Sequence, residues 1–441
     1  MRVLQTGDWH LGHTLHDVSR VREHARFLTW LVETLVAEQC DALLVCGDVF
    51  EMANPPAQAQ RAWYDFLAAI HRRLPALRTV VIGGNHDSPA RLEAARPLLE
   101  PLHVSVIGAL PRTQYGALDL DRLLVPLPDS DGQVAAWVAA VPFLRPADLL
   151  PAAPWSRGAD LADAGADPLI EGVRTVYAEV LAEARRRRQP RQALIAMGHA
   201  FLVGGAVSLL SERRILGGNQ HALPVDIFPD DVTYVALGHL HKAQRVGGRD
   251  HVRYAGSPVP LAMSELDYRH QVCVVDLATD GTSATVRAIN VPRTRALRRV
   301  PRHGAAPLDE VLSALRGLPD RRIGHDQPDE PVTLDDDPGD DATLLEICVS
   351  LPRPEPRLRR RIEEVLAGKG HHLVKLSVAT CGDGLALAEA TAAASAIASL
   401  ADLDPVEVFV RRYLRDHTDQ PAPALLAAFH EVLESVHQGP R

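Results

Sequence analysis

Five short segments carry side chains able to bind metals or move protons: GDWH (Asp8, His10), GDVF (Asp48), GNHD (Asn85, His86, Asp87), GHA (His199) and GHLH (His239, His241). Each follows an apolar run of strand character, at 3–6, 42–46, 79–82, 193–197 and 233–237, and each has a glycine beside it. That is the pattern of ligand loops gathered along one edge of a sheet. Strand alternation puts the side chains of Asp8 and His10 on one side. Together the segments offer Asp8, His10, Asp48, Asn85, His199, His239 and His241, a mixed oxygen and imidazole set. Such donors suit Mn²⁺, Fe or Zn²⁺ better than Mg²⁺ or Ca²⁺, which prefer oxygen alone. Seven ligands exceed what one ion takes. With Asp48 bridging they divide into four per ion and leave room for water and a phosphate oxygen. Two ions about 3.5–4 Å apart activate an attacking water and neutralise phosphoryl charge during in-line displacement. Any one segment alone is better explained as capping or surface chemistry; all five in order, each after a strand, are not. His13, His16, His24, His71, His103, His221, His251 and His270 lack that context and read as structural or solvated.

The elements that must position these loops alternate between strand and helix over residues 1–290, with further strand runs at 104–107, 135–141 and 272–275. Helical spacing is plain at 57–72 (Trp63, Phe66, Leu67, Ile70) and at 172–188 (Val173, Val176, Tyr177, Val180, Leu181). The expected class is α/β, with sheets at the centre and helices outside. Residues 144–168, rich in Pro, Ala, Asp and Gly, read as a surface insertion. Beyond about residue 292 the texture changes: a helix at 307–317, an acidic stretch with prolines at 323–341, a strand at 344–351, a helix at 355–367 and a strand at 371–378. From about Leu385 the chain is Ala- and Leu-rich. Val406, Phe409, Val410, Tyr413 and Leu414 mark one amphipathic helix, and Leu425, Leu426, Phe429, Val432 and Leu433 another. The expected units are 1–290, 291–382 with the acidic loop, and 383–441.

Composition fits this picture. A chain of 441 residues is long for one domain. It is 46% hydrophobic and 23% charged, as soluble globular proteins are, and has no apolar run of membrane-spanning length. The N-terminus enters a strand without a signal-peptide pattern, so a cytoplasmic location is expected. Five scattered cysteines without CxxC spacing read as reduced thiols, not as a zinc site or a disulfide framework. A net charge of −9 does not advertise a nucleic-acid binder, and the basic runs at 185–188 and 359–361 read as solvated helix ends.

The ordered set DWH, GDVF, GNHD, GH and GHLH resembles the calcineurin-like metallophosphoesterases. LQTGDWHLGHTL, VPFLRP (141–146), YVALGHLHKAQ (234–244), YAGSPVPLAMSE (254–265) and LDPVEVFVRRYL (403–414) narrow the likeness to the SbcD family, nuclease subunits of bacterial SbcC–SbcD complexes. The resemblance implies a four-layered phosphoesterase domain, a small α/β capping domain and C-terminal helices that bind a coiled-coil SbcC-like ATPase. It also implies an exonuclease and endonuclease on DNA ends and hairpins that uses two Mn²⁺ per chain. A homodimer within a heterotetramer, formed through 57–72 and 89–100, follows from the same likeness. Carried over, Asp8, His10, Asp48 and His241 hold one ion, and Asp48, Asn85, His199 and His239 hold the other. His86 faces the phosphate as a catalytic residue and is no ligand. Archaeal and eukaryotic relatives have a second catalytic-site histidine three residues after the bridging aspartate. Here that residue is Glu51, which cannot donate in the same way. A small-nucleotide phosphodiesterase on the same fold and a non-catalytic scaffold are the alternatives.

Overall fold

Residues 42–46, ALLVC, are buried along their whole length, which a strand achieves only when both faces of its sheet are covered. The computed structural model describes residues 1–149, 168–202, 222–320, 342–353 and 355–380, with the single positions 409, 413 and 425. In it, Ala42, Leu44 and Cys46 enter the core between two six-stranded sheets, while Leu43 and Val45 enter a second core under helices Val21–Ala37 and Ala57–Arg73. The first sheet runs Ala284–Asn290, Gln271–Leu277, Arg2–Thr6, Ala42–Cys46, Arg78–Ile82, Val104–Ile107. The second runs Gln244–Val246, Arg249–Tyr254, Tyr234–Gly238, Ala193–His199, Val134–Ala140, Leu124–Pro128. Helix Pro168–Arg187 completes four layers by packing Val176, Tyr177 and Val180 on the second sheet, the Tyr177 hydroxyl donating to the Met197 carbonyl at 3.2 Å. A buried glutamine pins the two sheets together. The Gln5 amide donates to the carbonyls of Leu237 (3.0 Å) and Arg253 (3.1 Å) and accepts from the Tyr234 hydroxyl.

Both sheets have a parallel centre: 2–6 with 42–46, 78–82 and 104–107, and 134–140 with 193–199, 234–238 and 249–254. The C-terminal strand ends therefore lie on one edge, where open α/β sheets place their sites. A third, all-parallel sheet is centred on Thr343–Leu351, with Leu297–Val300 and Ala306–Pro307 along one side and His371–Thr380 along the other. Helices Leu308–Arg316 and Leu358–Leu366 cover one face of it. On the other face Leu297 and Leu344 touch Leu15 and Met263, and Glu346 is buried between Arg299 (2.6 Å) and Lys375 (2.9 Å).

Several expectations need correction. The first strand ends at Thr6, so strand alternation does not orient Asp8 and His10; both sit in a loop at φ of 52° and 49°. The strand expected at 193–197 continues through His199, which makes that ligand part of the strand itself. Helix Val21–Ala37 went unmarked, and 89–100 resolves into the short turns Pro89–Glu93 and Arg96–Leu99. The run at 185–188 does close helix Pro168–Arg187 as a largely exposed helix end, with Arg185 ion-paired to Asp231 and Arg186 and Arg187 to Glu183. The acidic loop, the helix-former-rich stretch 385–397, the amphipathic stretches 405–415 and 423–436 apart from positions 409, 413 and 425, and most of the 144–168 insertion lie outside the described residues.

Candidate metal centre

The glycines beside the ligand segments have a steric cause. A Cβ on Gly47, which has φ of 87°, would stand 2.3 Å from His199 Nδ1, and one on Gly84 would stand 2.1 Å from an Asp48 carboxylate oxygen. Only glycine lets the loops close this tightly. Four of the donors themselves, Asp8, His10, Asp48 and His239, are non-glycine residues in the left-handed region, with φ of 52°, 49°, 49° and 102°. Such backbone is uncommon, costs of order 1–3 kcal/mol per residue and concentrates at functional sites.

Hydrogen bonds hold the loops in that shape. The amides of His10 and Leu11 donate to the carbonyls of Asp48 (3.0 Å) and Val49 (2.9 Å). Asp8 Oδ1 accepts from the His239 amide at 2.8 Å, and Asp48 Oδ1 from the His86 amide at 2.9 Å. Asp87, fully buried and pushed up to about 6 by burial and then by the charge of Asp48, accepts from the amides of Gly84, Val49 and Phe50. It is a brace between two loops and not a ligand.

All seven expected ligands meet here. Donor atoms of Asp8, His10 and His241 lie within 4.8 Å of one another, as do those of Asp8, Asp48 and His199. Asn85 Oδ1 is 2.9 Å from His199 Nε2 and 3.0 Å from His239 Nδ1. Asp48 Oδ2 stands 3.4 Å from His199 Nε2 and 3.6 Å from His10 Nε2, between the two groups. Three of the histidines use the far ring nitrogen on a partner: His10 Nδ1 on Glu51 (2.9 Å), His199 Nδ1 on the Cys46 carbonyl (2.8 Å), His241 Nδ1 on Glu265 (3.0 Å). Outer partners of this kind fix the tautomer of metal-binding histidines.

Burial and the neighbouring charges shift several of these donors strongly. Burial raises Asp8 above the usual carboxylate range. Burial opposes ionisation of Asp48 too, but His199 opposite holds it well below that range. Burial likewise opposes a charged His199, yet Asp48 lifts it to about 9. Buried Asp8 Oδ2 and His10 Nε2 have no hydrogen-bond partner among the described residues. Buried polar atoms are rarely left so, and a donor set of this composition fits divalent transition metals.

Sequence reasoning gave no part to Glu265, although it lies in the YAGSPVPLAMSE segment. It is wholly buried, accepts from His241 and from the Leu261 amide (2.9 Å), and is held down at about 2: burial opposes the charge and the His241 bond outweighs it. Its carboxylate closing an apolar run was the available signal.

Comparison with known proteins is consistent with this geometry. The calcineurin-like phosphoesterase family matches residues 1–243, and the type 5 capsule protein repressor C-terminal domain matches 293–417. The SbcD component of the SbcCD nuclease of Rhodobacter capsulatus is 48% identical over 325 residues, covering 73% of this chain and 77% of its own. The chain belongs to the SbcD family. It is a phosphoesterase of the nuclease class, and its family uses divalent metal. SbcD-family relatives from Escherichia coli K12 (35% over 299 residues, 67% of this chain and 70% of that one) and Bacillus subtilis (35% over 317 residues, 71% and 75%) extend the same likeness. Among the described residues no helix is long and apolar enough to cross a membrane.

Proposed function

We propose that the chain is a manganese-dependent DNA exonuclease and endonuclease acting on ends and hairpins, assembled as the nuclease subunit with an SbcC-like ATPase. The observation that carries this is the convergence of seven oxygen and imidazole donors around two buried, unpartnered atoms, Asp8 Oδ2 and His10 Nε2. Asp8, His10, Asp48 and His241 would hold one Mn²⁺, and Asp48, Asn85, His199 and His239 the second. When bound, such ions supply an activated water and neutralise charge on the phosphoryl group. His86 packs edge to face against His10 and is assigned to the phosphate, not to an ion. Its Nδ1 donates to the Glu51 carbonyl at 2.7 Å, leaving Nε2 for substrate. Burial lowers its pKa, so the free site holds it neutral near pH 7, and an anionic phosphate beside Nε2 favours the protonated form that serves the leaving oxygen. Arg145, which donates to the Asp87 carbonyl at 3.3 Å, and exposed Lys242 beside His241 are suited to hold the sugar–phosphate backbone.

Residues 1–290 would form the nuclease domain, 291–382 the cap and 383–441 the ATPase-docking tail. The family likeness supports a homodimer within a heterotetramer, formed through 57–72 and 89–100, where Tyr64 and Leu98 are exposed. The discriminating experiment offers linear DNA and cyclic AMP to the purified chain with Mn²⁺. DNA hydrolysis that disappears in a folded Asp48→Ala protein is expected; turnover of cyclic AMP but not DNA would establish the small-nucleotide reading instead.

A further inference from the structure

One residue touches two of the histidines that this reading puts to work, His10 and His86. Each polar group of Glu51 is tied to a loop of the site. Its amide donates to the Leu11 carbonyl at 3.2 Å, its carbonyl accepts from His86 Nδ1 at 2.7 Å, and its carboxylate accepts from His10 Nδ1 at 2.9 Å. The side chain is only 18% exposed, and the His10 and His86 rings beside it lie edge to face, centroids 4.7 Å apart. A carboxylate in its ionised form accepts and cannot donate, so the bond requires the proton on His10 Nδ1 and leaves the Nε2 lone pair facing inward. That Nε2 is the buried atom without a partner. At His86 the carbonyl does the same, putting the proton on Nδ1.

Resting on the metal-site reading above, we propose that Glu51 is a positioning residue that fixes the tautomer and orientation of both His10, through its carboxylate, and His86, through its main-chain carbonyl. The two arms separate on substitution. A side-chain change removes the tether on His10 and leaves the carbonyl that holds His86. Loss of an outer-shell partner costs about 10–100-fold in metal affinity. The effect therefore falls on one ion, and raising Mn²⁺ restores most of the rate.

The test is calorimetric titration of the metal-free full-length chain with Mn²⁺, for wild type, Glu51→Ala and Glu51→Gln, with circular dichroism as the folding control. Wild type is expected to bind two ions. Glu51→Ala should weaken one of them about 10–100-fold and leave the other. Glu51→Gln, whose amide oxygen still accepts from Nδ1–H without the charge, should fall between and stand in should the alanine chain not fold. At saturating Mn²⁺ both variants should keep a rate within about tenfold of wild type. Equal isotherms for wild type and a folded Glu51→Ala chain overturn the positioning role. An ion missing altogether in both variants makes Glu51 a ligand and overturns it too. If wild type binds no Mn²⁺, the metal-site reading itself fails and takes this inference with it.

Discussion

Removing the His86 ring should separate chemistry from metal binding. The imidazole contributes one side-chain hydrogen bond, Nδ1 to the Glu51 carbonyl at 2.7 Å, and edge-to-face contact with His10. The bond that shapes the site, the His86 amide on Asp48 Oδ1 at 2.9 Å, belongs to the main chain and survives in His86→Ala. The cost in stability is therefore one net hydrogen bond, about 1 kcal/mol. Of the donors Asp8, His10, Asp48, Asn85, His199, His239 and His241, only His10 loses a ring contact, and it keeps its bond to Glu51. If His86 delivers the proton to the leaving oxygen, its loss lowers turnover by about 10²–10⁴-fold, or roughly 2.7–5.5 kcal/mol of transition-state stabilisation. His86→Gln can still donate to the Glu51 carbonyl but cannot transfer a proton, so it should fall as far. Single-turnover hydrolysis of linear DNA with Mn²⁺ at saturation, beside metal analysis of the same preparations, reads both effects. A variant that lost an ion, or one that kept its rate within a factor of ten, would refute the assignment.

Three further outcomes follow from the buried groups. Glu265→Ala leaves the His241 Nδ1–H and the Leu261 amide without their acceptor, so unfolding should show a loss of about 1–3 kcal/mol per group and Mn²⁺ titration an affinity lower by about 10–100-fold; unchanged values in both would refute the brace. Burial, and then the charge of Arg20, push His24 down to about 3, whereas in the unfolded chain it titrates near 6.5. Between those values the unfolded chain holds a proton that the folded one lacks, so stability falls as pH falls, by about 1.4 kcal/mol per unit for one proton. Urea unfolding of the metal-free protein across that range should show His24→Gln with a slope lower than wild type by close to one proton; an unaltered slope contradicts the neutral buried state. Asp8→Asn keeps an oxygen for the His239 amide but loses the metal-facing carboxylate, so metal-free stability should match or exceed wild type while added Mn²⁺ raises Tm less than in wild type, through the second ion alone; Mn²⁺ stabilisation equal to wild type would remove Asp8 from the ligand set.

The ligand loops were legible because three signals coincide at each: a buried apolar strand, a glycine, and a residue type that coordinates metals. Elements without such coincidence were not. Helix Val21–Ala37 starts at Arg20 with no side-chain cap, and Glu23, His24 and Thr34 are buried on it, which blurs its apolar stripe. The hairpin of Gln244–Val246 and Arg249–Tyr254 is dense with charge, and only the turn at Gly247 and Gly248, with φ of 57° and 72°, betrays it. Glu265 lies 24 positions from His241, a separation at which only the folded chain shows the contact.

What the segments could not show is that the aspartates divide their oxygens between two tasks. Asp8 gives Oδ1 to the His239 amide and Asp48 gives Oδ1 to the His86 amide, while Asp48 Oδ2 stands beside His199 and His10 and Asp8 Oδ2 is buried with no hydrogen-bond partner among the described residues. On the proposed assignment, each carboxylate shapes a neighbouring loop with one atom and would offer a ligand with the other. The left-handed backbone at Asp8, His10, Asp48 and His239 is held by these bonds and by the paired main chains at 10–11 and 48–49. Pairing an aspartate oxygen with a main-chain amide also explains why the DWH, GDVF, GNHD and GHLH segments occur as a set: removing one aspartate releases a loop belonging to another segment.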